Sequence, residues 1–187
     1  PFWRAAFAQD LEALRLLADH DADPDIPTWW PEVGMRERRQ EDGRQQEDSG
    51  LTPIPYGVDN AHPIHAAAGG GYLGLGAFSV RNVPDQFIPT VKYLVDEHGA
   101  DVNLGDSWGY TPLHYAASDS PDVARLLIEH GADIDAKDDG GFTPLHVAAR
   151  YNSHDVARLI VEFEAEIEAK DDKVGWTPLH HAARDNS

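Results

Sequence analysis

One short phrase returns five times along this chain of 187 residues, and its spacing leaves few folds open. Three copies read Thr-Pro-Leu-His, from Thr111 to His114, Thr143 to His146 and Thr177 to His180. Two copies are looser: His62-Pro63-Ile64-His65 and, at the chain start, Pro1-Phe2-Trp3. An alanine pair follows each at the same offset, at Ala5-Ala6, Ala67-Ala68, Ala116-Ala117, Ala148-Ala149 and Ala182-Ala183. The full copies recur every 32 to 34 residues. A period of that length marks a solenoid, in which like units stack and each buries its neighbour's apolar face.

The residues of the phrase say how a unit begins. A Thr hydroxyl suits an N-cap, where it accepts a free N–H of the first turn. Pro suits the next position, because its missing N–H costs nothing and its φ is already helical. Leu then points inward, and the small alanines let a second helix come close.

A second phrase follows, at Leu14-Arg15-Leu16-Leu17, Val91 to Val95, Val123 to Ile128 and Val156 to Val161, each a short amphipathic helix. Two of these end in His-Gly-Ala-Asp, at His98 to Asp101 and His130 to Asp133. Gly99 and Gly131 fit the left-handed residue that closes a helix. Val102-Asn103 and Ile134-Asp135 come next, then a polar turn and another Thr-Pro.

Helix, tight turn, helix, Gly-Ala-Asp-Val-Asn and a hairpin turn resemble the ankyrin repeat family, over most of the chain. The resemblance implies an all-α ankyrin-repeat solenoid of stacked helix-turn-helix units joined by hairpin turns. It divides a single array, 1–187, into units at about 1–26, 61–104, 109–137 and 141–171, with a half unit at 175–187. Insertions fall at about 27–60 and 73–88. From Pro1 to Pro63 is 62 residues and from Pro63 to Pro112 is 49, about 29 and about 16 more than one period. Both chain ends read as incomplete units of something longer.

The first insertion opens on Trp29-Trp30-Pro31 and runs through a charged stretch, Arg36 to Asp48, with almost no apolar residue. It cannot bury a core of its own. A functional loop and a tolerated one both fit. In the second insertion Gly69, Gly71 and Gly74 spell a dinucleotide fingerprint. That motif needs a strand before it and a helix after it, whereas here a helix precedes. A linker is the better reading, and no cofactor is expected.

The formal charge is −18. It argues against nucleic acid, which is bound by neutralising phosphates with Lys and Arg. It favours a basic partner and fast, salt-sensitive association, or simply keeps an extended array in solution. No apolar run approaches the roughly 20 residues a membrane span needs. With no cysteine, disulfides and thiolate metal sites are excluded, and a reducing, cytoplasmic interior suits the chain.

Ten histidines raise the question of a metal. Four of them, His65, His114, His146 and His180, hold one position per unit. Helices stack about 8–10 Å apart, whereas zinc needs every ligand nitrogen within about 2.1 Å of one ion. The resemblance gives these side chains a structural part, bonding to the capping Thr and to nearby backbone. Asp21, Asp23, Asp25 and Glu32 have part of a calcium-loop spacing, but Ile26 stands where Gly is required. No nucleophile with a base and an orienting acid stands out. No metal site and no enzyme is expected.

What remains is surface. The resemblance places partner contacts on the hairpin tips and first helices. Here these are Ser107, Trp108 and Tyr110, then Asp139, Phe142, Arg150 and Tyr151, then Trp176 and Arg184. Exposed Trp, Tyr and Arg are the commonest interface hot spots. Phe142 and Trp176 read equally well as filler between hairpins, and Trp29 and Trp30 either pack on unit one or anchor a partner. Asp138-Asp139 and Asp171-Asp172, near Asp106, form an acidic ridge suited to a basic, extended peptide. The expectation is a monomeric protein-interaction module. Its alternatives are a non-catalytic targeting arm of a longer multidomain enzyme and an architectural spacer.

Three residues depart from the pattern. Glu164 and Asp21 stand where Gly closes the second helix, and His62 replaces the capping Thr.

Overall fold

Proline at the first helical position sets where the first helix of units two to five starts. The computed structural model describes residues 5–6, 10–24, 60–69 and 87–185, so nearly all of both insertions, with Trp29 and Trp30, lies outside the described residues. The first helices are α2 (Pro63–Ala67), α4 (Pro112–Ala116), α6 (Pro144–Arg150) and α8 (Pro178–Asp185). The second helices are α1 (Leu11–Asp19), α3 (Phe87–Lys92), α5 (Pro121–Glu129) and α7 (His154–Glu162). No strand occurs among the described residues.

Two layers result. The first helices pack in the order α2, α4, α6, α8, and α3, α5 and α7 pack in the same order beside them. The alanines lie in the seam: Ala67, Ala116 and Ala148 are all buried. Leu14, Ile64, Val91, Leu94, Leu113, Leu127 and Ile160 fill the rest of one continuous core. Leu179 differs, because it repeats Leu113 and Leu145 yet is exposed, with no element packed beyond α8 among the described residues.

Unit two also departs from a plain helix pair. Its second helix widens into a π-helical turn, Tyr93–Glu97. Tyr93 packs edge-on against His98 with ring centroids 4.7 Å apart. The Arg15 guanidinium stands 5.7 Å over the same ring, tying unit one to unit two.

The second helices close as their sequences imply. Gly99 and Gly131 are left-handed at φ +64° and +87°, and so are the two substitutes, Asp21 at +56° and Glu164 at +66°. Asp10 caps α1 by accepting the Ala13 N–H at 2.9 Å.

Candidate interaction surface

Three of the four motif histidines, His65, His114 and His146, are bonded at both ring nitrogens, and His180 at Nδ1. His114 Nδ1 accepts the Thr111 N–H at 3.1 Å and meets the Thr111 hydroxyl at 2.9 Å. Its other nitrogen, Nε2, is then the protonated one, and it donates to the Phe142 carbonyl of the next unit at 3.0 Å. His146 repeats this with Thr143 and reaches the Trp176 carbonyl at 3.1 Å. His65, with no Thr to face, accepts the His62 N–H at 2.9 Å and reaches Leu104 instead. The cap of unit two therefore lacks the hydroxyl contact. Burial lowers the pKa of all three imidazoles and favours the neutral form that these bonds require. The histidines are structural, and the described residues hold no group of three or more metal-ligating side chains.

Aspartate builds the hairpins. Asp106 Oδ1 accepts the N–H groups of Trp108 and Tyr110 at 2.8 and 3.0 Å. Asp138 Oδ1 does the same for Gly140 and Phe142 at 2.7 and 2.8 Å. Asp171 Oδ1 gathers Lys173 and Val174. The second oxygen depends on the residue after the motif histidine. Tyr115 donates its hydroxyl to Asp106 Oδ2, and His181 Nε2 lies 2.8 Å from Asp171 Oδ2. Val147 holds that position in the unit between. Burial works to raise the Asp171 pKa. The N–H of Val174, the imidazole of His181 and the N–H groups of Lys173 and Gly175 outweigh it, and hold the carboxyl well below the usual range.

Adjacent hairpins are pinned tip to tip. The Asp139 N–H donates to the Trp108 carbonyl at 3.0 Å, and the Asp172 N–H to the Gly140 carbonyl at 2.9 Å. Glycine makes the approach feasible. A Cβ on Gly141 would fall 2.6 Å from the Asp172 nitrogen, and one on Gly109 would fall 3.1 Å from that of Asp139. Both glycines are also left-handed, at φ +76°.

This geometry revises the acidic ridge. Asp106, Asp138 and Asp171, the first acids, are turned into their own hairpins, and Asp106 and Asp171 are buried. Asp139 and Asp172 are exposed, but their side chains lie back against Gly109 and Gly141 of the preceding hairpin.

The rings fall into two sets. Trp108, 47% exposed, and Tyr151, 45% exposed, stand open to solvent, as do Ser107, Asp139, Arg150 and Arg184. Tyr110, Phe142 and Trp176 are half-buried, one per unit, directly before the capping Thr. Phe142 and Trp176 pack on His181 with centroids 5.0 and 5.4 Å away. They are therefore partly filler, as one of the two sequence readings had it. Burial, and after it the negative field of Asp138, pushes the Tyr110 phenol up to about 12, so it remains a hydroxyl donor near neutral pH.

His181 is the residue that sequence reasoning missed. A signal existed: Tyr115 and Val147, its equivalents, are both core positions.

No described helix is long and apolar enough to cross a membrane. Two family models match the chain, both described as ankyrin repeats: one of three copies over residues 39–138, the other of many copies over residues 127–182. No curated protein matches it.

Proposed function

Because the chain belongs to the ankyrin repeat family, whose repeats mediate protein–protein interaction and are generally non-catalytic, we propose that it is a protein-binding module. It acts as a monomer and presents its hairpin tips and first helices to another protein. The observation that carries this reading is the pair Trp108 and Tyr151. Both are large rings left about half exposed, whereas Tyr110, Phe142 and Trp176 are half-buried and Tyr115 is buried. Such rings lose most when buried by a partner and cost little conformational entropy to fix. The absence of cysteine supports a reducing, intracellular setting.

The net charge of −18 supports attraction of basic partners at long range. Contact is a different matter, since charges beyond about 8 Å are screened at physiological salt.

Partner capture on the immobilised chain tests the reading, beside a Trp108→Ala, Tyr151→Ala variant. A discrete protein retained by the parent and lost by the variant is expected. Failure to retain any discrete protein would leave a spacer.

A further inference from the structure

Three half-buried rings, Tyr110, Phe142 and Trp176, stand in register directly before the capping Thr of successive units. Two of them carry a cation from the chain itself. The Lys173 ammonium lies 5.6 Å over Phe142, and the Arg184 guanidinium 5.1 Å over Trp176. Lys173 belongs to the hairpin after Phe142 and runs past Gly140. A Cβ on Gly140 would fall 3.0 Å from the Lys173 Cε, 3.2 Å from the Phe142 ring and 3.3 Å from Asp138 Oδ1. That rung brings a ring, an aspartate and an ammonium to one place.

The rung before it has the ring and the carboxylate without the ammonium. Tyr110 answers to Phe142 and Asp106 to Asp138, but Gly140 stands where Lys173 stands one hairpin later. Glycine has no side chain to send back, and among the described residues no cation stands over Tyr110 or Trp108. The local field is negative. Burial raises the Tyr110 pKa most, the Asp138 carboxylate acts next, and Arg150 opposes it more weakly. Asp139 adds an exposed carboxylate, whose Oδ1 would lie 3.2 Å from a Cβ on Gly109, between Trp108 and Tyr110 in the chain. Among the described residues that carboxylate makes no hydrogen bond or ion pair. Trp108, 47% exposed, supplies an open ring at the same tip.

We propose that a lysine or arginine of an extended partner segment takes this place, against Trp108 and Tyr110 with its charge facing Asp139. The inference rests on the binding-module reading and names the contact that its surface makes. A cation on an exposed ring is held weakly by the ring alone, and a neighbouring carboxylate adds to the hold. The remaining acids of the chain are screened at the contact and serve to speed encounter. The tips also give the segment a direction. Lys173 already holds the next rung, about 8–10 Å on. A second basic residue about three places further along an extended segment would meet that like charge.

Selection of random displayed peptides of about twelve residues on the whole chain, at about 0.15 M salt, tests this. The expected pool carries a Lys or Arg in one fixed place rather than a uniformly basic sequence. A selected peptide should lose about tenfold in affinity when that residue becomes Met, and about as much against a Trp108→Leu, Asp139→Asn variant. The variant removes a single charge from a chain of formal charge −18, so non-specific attraction survives it. Both residues are exposed, so the variant should melt as the parent does, which circular dichroism checks. A pool without a fixed basic residue, or basic peptides that bind the variant as tightly as the parent, would overturn the inference and leave the binding module standing. A chain that selects no peptides at all would count against both.

Discussion

His114 links unit three to unit four through a single atom: its Nε2–H donates 3.0 Å to the carbonyl of Phe142. The same ring holds its own helix start through Nδ1. One neutral imidazole thus serves helix capping and unit stacking together, and its charge state matters to both.

Stability should fall with acid in two steps. His65, His114 and His146 have folded pKa values lowered by burial, so the unfolded chain binds protons more readily. Their contribution is fully present above the unfolded value of about 6.5 and is lost as pH falls below it. The folded pKa of Asp171 is also lowered, from 3.8, and its contribution is lost as pH falls below that value. Urea midpoints between pH 8 and pH 3 should show both declines. A His114→Gln chain should be weaker at pH 8 and should show a shallower first decline. An unchanged slope would remove His114 from this account.

Glu164 is left-handed at φ +66°, where a side chain costs about 1–2 kcal/mol. Glu164→Gly should raise the melting temperature by about 2–4 °C. Asp21→Gly should gain less, because Asp tolerates that conformation better. A lower melting temperature for Glu164→Gly would mean that the carboxylate contributes more than the strain costs.

Gly141 and Gly175 are both left-handed, at +76° and +72°. A methyl on Gly141 meets the Asp172 backbone at 2.6 Å, while one on Gly175 meets nothing within 4 Å. Gly141→Ala should therefore melt well below Gly175→Ala. Equal losses would show that the hairpins can separate without cost.

Tyr115→Phe leaves Asp106 Oδ2 buried without its hydroxyl partner and should cost about 1–3 kcal/mol. Tyr151→Phe, at an exposed ring, should change stability by less than about 0.5 kcal/mol. Denaturant titration of the two variants separates them.

Much of this architecture was readable in the residues. Proline after Thr located three helix starts, the alanine pairs located the seam, and the Gly position located four left-handed helix ends, two of them without glycine. Those signals are local, so the sequence carries them directly. The side-chain acceptors were harder. Paired acids such as Asp138-Asp139 read as exposed charge, yet Asp three or four residues before Gly is also the mark of a side chain closing its own turn. That second meaning prevailed at Asp106, Asp138 and Asp171, and it left Asp139 and Asp172 as the exposed acids of the ridge. The π-helical turn at Tyr93 had no signal in an apolar spacing that reads as ordinary helix. Of the contact residues, exposure separated Trp108 and Tyr151 from Phe142 and Trp176, a distinction set by what the neighbouring unit covers.

Successive hairpins share one tip amide bond, His114 and His146 each tie a first helix to the next hairpin, and Asn103 and Asp135 add side-chain bonds to Asp133 and Glu166 of the following unit. Load along the array passes through these fasteners in series, so stretching should open it one unit at a time, with the step size set by a single repeat. Unit two, whose imidazole reaches Leu104 rather than the residue before the next cap, is the joint where such a tear has a different starting geometry.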